Sequence, residues 1–160
     1  MSTTGDILVR AARREDFPDL CAVLHDTFES TWRPHVTEAA AQAFRAEDRP
    51  AAYVGARGVL FQVAEMNGEV VGFIDREGDF VHALHVRAAH ARQGVGWRLM
   101  DHAEAQIARA GFVSARLETD TFNRRSRAFY AKRGYREAER YPDEQWDSDL
   151  TTILLVKPLP

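Results

Sequence analysis

HALHVRAAHARQGVGWRLM, residues 82–100, holds a strand, a turn and a helix start in one short run. His82 to Val86 alternates large apolar with smaller or polar residues, as a part-buried strand does. From Gly94 onward, Val95, Leu99, Ala103, Ile107 and Ala110 recur every three or four residues, one apolar stripe on a helix that Gly111 would end. Gly94 and Gly96 therefore open that helix. The first backbone N–H groups of a helix lack internal acceptors and sit at the positive end of the macrodipole, and missing side chains let an anion reach the main chain. Pyrophosphate is the natural ligand for such a turn. A bare G-x-G is equally an ordinary tight turn, so its neighbours must decide.

The elements on either side alternate. Ile7 to Ala11 reads as a strand, followed by a helix that Asp16 caps, with Pro18 in its first turn, running to about Phe28. A loop from Glu29 to Val36 leads to a helix from Thr37 to Glu47 that stops before Pro50. Val59 to Met66 and Val70 to Asp75 predict a hairpin around Asn67-Gly68, a dipeptide that favours a type I′ turn. Strands over Phe80 to Val86 and Val113 to Thr119, a helix ending at Gly134, and strands over Tyr135 to Tyr141 and Thr151 to Lys157 complete the pattern. The order is β-α-α-β-β-β-α-β-α-β-β.

At 160 residues the chain is expected to form a single domain over 1–160. It has no apolar run near 18 residues, no signal-peptide pattern and no internal repeat, which predicts a cytoplasmic protein with no membrane partner. The lone Cys21 shares an apolar helix face with Phe17, Leu20, Leu24 and Phe28 and reads as a core thiol. Charge is split along the chain. Residues 87–136 hold eleven Lys or Arg against four Asp or Glu, whereas the whole chain carries a net −3. A basic centre suits a polyanionic ligand, and an acidic remainder suits a cationic one. Arg124, Arg125, Arg127, Lys132 and Arg133 crowd one stretch, but no aromatic residues interleave to stack bases, so nucleic acid is not expected. The spacing of His25, His35, His90 and His102 offers no metal set; solvent or capping roles are expected of them.

Arg92-Gln93-Gly94-Val95-Gly96 resembles the acetyl-CoA pyrophosphate loop, Q/R-x-x-G-x-G/A, of the GCN5-related N-acetyltransferases (GNAT). The first position of that loop falls on Ala91, with Arg92 beside it. A second segment, NRRSRAFYAKRGY over Asn123 to Tyr135, is similar to the later motif of the same family, in which an Asn precedes a helix ending in F-Y, a few polar residues and G-[FY]. The resemblance implies an α/β (α+β) fold: a mixed, mostly antiparallel sheet of six to seven strands flanked by about four helices. It implies that the strand before the glycine turn and the next strand splay apart to admit pantetheine. Main-chain groups of Leu84 and Val86 would bind the pantetheine amides, and Arg92, Gln93, Gly94, Val95, Gly96 and Trp97 would hold the diphosphate end. Asn123 and Tyr130 would also touch acetyl-CoA, the acyl donor, and no metal is required. Asn123 is equally a helix N-cap by residue type.

Acetyl transfer to an amine needs two proton movements, because ammonium has no lone pair and a thiolate leaves better when protonated. Tyr130 stands where the family places its thiolate-protonating tyrosine; a phenol, with a pKa of about 10, is protonated at neutral pH. His82 is the first choice of base, since an imidazole titrates near pH 7. His82-Ala83-Leu84-His85-Val86 is similar to the H-A-L-x-V strand of arylalkylamine N-acetyltransferases, though Phe80 stands where that group has a second histidine. Glu118, Asp120 and Asp75 are fallbacks, and alternation puts His85 on the face opposite His82.

The acceptor would be chosen by Glu29 to Val36, with Trp32, and by Pro142 to Leu150, with Trp146. Both tryptophans could wall an acceptor, and Asp143, Glu144, Asp147 and Asp149 would attract an ammonium group. The expected reaction is direct acetyl transfer to the primary amine of a small molecule, without a covalent enzyme intermediate. The competing class is a non-catalytic acyl-CoA-binding module. If the chain self-associates, a homodimer is expected.

Overall fold

The computed structural model describes residues 6–143 and 150–160. Its elements are β1 (Ile7–Ala11), α1 (Phe17–Thr27), α2 (Glu38–Ala46), α3 (Arg49–Arg57), β2 (Gln62–Met66), β3 (Glu69–Glu77), β4 (Phe80–Val86), α4 (Val95–Arg109), β5 (Ser114–Asp120), α5 (Arg124–Lys132), β6 (Arg136–Pro142) and β7 (Thr151–Pro158). The strands form one sheet in the order β1-β2-β3-β4-β5-β7-β6, antiparallel except where β4 meets β5. This is the expected mixed, mostly antiparallel architecture, with one helix more than the sequence suggested.

The extra helix is α3. Pro50 reads as a stop for α2, yet the fixed φ of proline suits the first turn of a helix equally well. Asp48, in a left-handed conformation at φ 44°, caps this new helix by accepting a hydrogen bond from the Ala51 N–H. The stretch after α1 is no open loop. Phe28–Trp32 continues as a π-helical turn and Arg33–His35 as a 3-10 turn, because Phe28 stacks on Phe44 of α2 at 3.8 Å and holds the segment coiled. Asp16 stands at the start of α1 as expected, but its carboxylate turns back to the Arg10 guanidinium at 2.8 and 2.9 Å and to the Arg13 N–H at 2.7 Å. β2 begins at Gln62 rather than Val59, since Gly58–Leu60 forms a 3-10 turn.

Elsewhere local chemistry prevails. Asn67 and Gly68 both have positive φ, 53° and 79°, as a type I′ hairpin turn requires. The stripe on α4 is buried at Val95, Leu99, Ala103 and Ile107; Ala110 lies outside the helix and is exposed. These residues pack with Val71, Ile74, Leu117, Tyr130 and Ile153 on one face of the sheet. On the other face α1 and α3 bury Leu20, Val23, Leu24 and Val54 against Phe61, Val63 and Phe73. Gly72 is required where β3 passes β4, because a Cβ there would sit 2.7 Å from the His85 carbonyl oxygen.

Candidate active site

β4 and β5 are parallel neighbours for only two pairs, Phe80–Arg116 and Val81–Leu117. Beyond Val81 the strands part. β4 stays paired with β3, but the register skips His82: Arg76 faces Val81 and Asp75 faces Ala83. His82 is thus the extra residue of a β-bulge. The Arg87 N–H donates to the Val71 carbonyl at 2.8 Å, so by the antiparallel alternation Ala83 and His85 also direct their main-chain groups at β3. Leu84 and Val86 direct theirs the other way, into the gap.

At the end of that gap the chain turns into α4. Arg92 and Gly94 both have left-handed backbones, φ 64° and 86°, and α4 starts at Val95. Alternating left-handed residues at a helix start turn successive N–H groups toward one point, an anion-binding concavity. Nothing lies within 4 Å of where a Gly94 side chain would begin, so the approach to this main chain is open. Arg92, Gln93 and Gly94 are exposed. Gly96 faces Val86 and the Phe129 ring, the latter 3.5 Å from where its Cβ would be, so the turn, the end of β4 and α5 converge there. The Trp97 indole stacks beneath the Arg133 guanidinium at 4.4 Å and meets Phe129 edge-on.

Asn123 caps α5, its Oδ1 accepting from the Ser126 N–H at 3.0 Å. Tyr130 is 7% exposed and packs edge-on against Phe129 and Tyr135. Burial raises its pKa above the ordinary phenol value, which keeps the hydroxyl protonated.

His82 is the first β4 residue past the paired stretch, and its Nε2 lies 3.3 Å from Glu77 Oε1. Glu77 also meets Arg57 of α3, while His85 meets Thr27 of α1 at 2.9 Å and stacks on Phe73. Both histidines thus lie on the α1–α3 face, contrary to simple alternation, because the bulge at His82 reverses the parity of the strand. Half-buried against Phe73 and Thr27, His85 is desolvated and pushed down to about 4, so it is neutral.

The fallback bases separate. Asp75 is fully buried, ion-paired with Arg57 at 2.8 and 2.9 Å and hydrogen-bonded by the Tyr53 hydroxyl at 2.6 Å, so its charge is already matched within the core. Glu118 is exposed and hydrogen-bonded by Tyr141. Among the described residues Asp120, 6% exposed at the end of β5, accepts a single long side-chain bond, 3.4 Å from Thr152. Desolvation, helped by Asp143 and Glu118, raises it to about 6. Phe122, which the sequence did not single out, joins the acceptor side: His35 stacks on it at 4.1 Å and Trp32 meets it edge-on at 5.5 Å. Its only signal was an aromatic ring immediately before Asn123. His90 and His102 are half-buried, and among the described residues one ring nitrogen of each, Nδ1 of His90 and Nε2 of His102, has no hydrogen-bond partner. Trp146, Glu144, Asp147 and Asp149 lie outside the described residues.

The model of the acetyltransferase (GNAT) family matches residues 17–135. A blasticidin-S acetyltransferase of Streptomyces morookaense is 35% identical over 95 residues, 59% of this chain and 68% of that protein. A GCN5-related N-acetyltransferase structure from Rhodopseudomonas palustris superposes with a TM-score of 0.82 at 23% identity, over 99% of each chain. The PaiA N-acetyltransferase of Thermoplasma acidophilum, solved in complex with coenzyme A, follows at 0.75 and 18% identity, over 96% of this chain and 99% of that one.

Proposed function

This chain belongs to the GNAT family of acetyltransferases, and we propose that it carries an acetyl group from acetyl-CoA directly to the primary amine of a small molecule. The carrying observation is the gap between β4 and β5, which ends at the left-handed turn of Arg92 and Gly94. Acetyl-CoA supplies the thioester when bound. The residues fit it: Leu84 and Val86 direct main-chain groups into the gap, toward an extended amide-bearing arm. The N–H groups from Arg92 to Gly96, at the positive end of α4, suit a diphosphate. Trp97 adds apolar surface, and Asn123, whose Oδ1 is committed to its cap, retains an amide N–H for the ligand.

Tyr130 gives its proton to the departing sulfur; its burial leaves the O–H intact at every working pH. His82, at the mouth of the gap, takes the acceptor's proton through water, with Glu77 orienting its ring. Cys21 supports direct attack: burial raises its thiol pKa, the opposite of what a covalent nucleophile needs. A small acceptor is supported by Trp32 and His35, which fold over Phe122. The likeness to a protein named for one compound, blasticidin-S, supports it too. A cytoplasmic setting fits a single cysteine and, among the described residues, no helix long and apolar enough to cross a membrane.

The test is a calorimetric titration with CoA, followed by a free-thiol assay with acetyl-CoA across a panel of amines. Binding with amine-dependent thiol release is the expected result. Binding without release by any amine would make the chain an acyl-CoA-binding module, and no binding would end both readings.

A further inference from the structure

Along β5, Ala115 and Leu117 are buried in the core beneath α4, and the Thr119 hydroxyl lies 2.8 Å from Ser126 of α5. Strand alternation puts Arg116, Glu118 and Asp120 on the other face. That face is the one on which the Arg116 guanidinium covers Phe80 at 5.4 Å and on which His82 lies, tilted against Phe80 at 5.1 Å. Asp120 therefore closes the β5 wall of the gap on the acceptor side, one residue before the turn that leads to Phe122.

Its surroundings are unusual for a carboxylate. Asp120 is more than nine-tenths buried, yet among the described residues no Lys or Arg pairs with it, whereas the buried Asp16, Asp75 and Glu104 each have a cationic partner. Thr152 offers one long hydrogen bond, and Asp143 and Glu118 add negative charge nearby. A buried carboxylate without a cation is costly, and a charge that arrives with the ligand relieves that cost.

We propose that Asp120 is the specificity-determining residue of the acceptor site: it seats the acceptor as an aliphatic ammonium ion and excludes amines that are neutral in water or carry a carboxylate beside the nitrogen. This rests on the acetyl-transfer reading only for where the acceptor binds. A neutral aryl amine brings no charge to offset that of Asp120, and an amino acid brings its own carboxylate against Asp120, Glu118 and Asp143. The burial-raised pKa of Asp120, about 6, agrees with a carboxylate lacking its cation.

The experiment compares the unaltered chain with Asp120→Asn and Asp120→Glu, each checked for folding by thermal melting and for CoA binding by calorimetry. With CoA saturating, each is titrated with 1,4-diaminobutane, 2-phenylethylamine, aniline and phenylalanine, and each acceptor is assayed for thiol release from acetyl-CoA. The expected result is binding of at least one of the two ammonium probes, at least tenfold tighter than aniline or phenylalanine. Asp120→Asn weakens that binding at least tenfold, and Asp120→Glu recovers part of it. Equal affinities across the four probes, no ammonium binding, or a preference that survives in Asp120→Asn would overturn the proposal. Thiol release with aniline or phenylalanine alone would sink it and leave acetyl transfer standing. Asp120-dependent ammonium binding with no release from any acceptor would do the reverse.

Discussion

The Arg133 guanidinium lies 3.0 Å from the Glu104 carboxylate, with its side chain 2% exposed, and so fastens α5 to α4. The same guanidinium reaches Asp101 at 3.0 Å and the Trp97 carbonyl at 3.2 Å, while Glu104 also takes Tyr135 at 2.9 Å and Lys157 of β7 at 2.6 Å. Tyr130 lies one turn before Arg133, and the glycine turn lies one turn before Trp97. Tyr130 and the glycine turn are thus held in register by a charge network centred on the buried Arg133 and Glu104.

Removing one partner from a buried pair strands the other charge, which costs about 3–5 kcal/mol. Lys157 keeps part of the Glu104 charge matched, so Arg133→Leu is expected at the lower end of that range. Thermal melting should fall by on the order of 10 °C for a domain of this size. A change of only a degree or two would show that the network adds nothing to stability.

Gly94→Ala forces a side chain into a left-handed residue at φ 86°, a cost of about 1 kcal/mol, and puts a methyl group on the open approach to the turn. CoA affinity should drop by on the order of tenfold while the fold persists. Calorimetry showing unchanged affinity would remove the turn from the binding site.

Tyr130→Phe is expected to leave CoA affinity intact and to lower turnover by on the order of 10²-fold, the range for a lost general acid. Because burial raises the phenol's pKa, the alkaline limb of the unaltered chain's pH profile should not arise from Tyr130. Full turnover in the Phe variant would leave Tyr130 a packing residue.

His82→Gln should slow the reaction and change the acidic limb of the pH–rate profile, with CoA binding unaffected. Glu77→Gln should give a smaller loss, because it only orients the ring. A superimposable profile for His82→Gln would assign the proton to another acceptor.

Asp120 has a folded pKa of about 6, above the ordinary carboxylate value of 3.8, with Glu118, Asp143 and Thr152 facing it. The folded state binds this proton more tightly than the unfolded state. The contribution of Asp120 to stability is therefore fully present below pH 4 and is lost as pH rises through about 6. Asp120→Asn removes that dependence, so relative to the unaltered chain it should gain up to about 3 kcal/mol between pH 4 and pH 7. Denaturant melts at both pH values measure it, and a constant difference would contradict the burial of a lone carboxylate.

Much of the fold is legible in the sequence because it is local. The Asn67-Gly68 hairpin, the α4 stripe that Gly111 ends, and the alternation along β5 follow from backbone sterics and side-chain period, which neighbouring residues alone set. Pro50 misled for an equally local reason, since proline closes one helix and opens the next with the same ring. The coil at Phe28–Trp32 was not legible, because it depends on Phe44 from another helix.

The site divides the same way. Residues 82–100 were enough to set out a strand, a glycine turn and a helix whose positive end suits an anion, since each is a matter of local geometry; the left-handed backbones of Arg92 and Gly94 came from the structure. Only the tertiary structure decided that β4 and β5 part after Val81, and that a bulge at His82 turns Leu84 and Val86 toward the gap and brings His82 and His85 to one face. It also decided that Arg57 neutralises Asp75 while Asp120 is buried with no Lys or Arg partner among the described residues. Strand partners, burial and the local dielectric are set by residues far apart in the chain, and no local pattern encodes them.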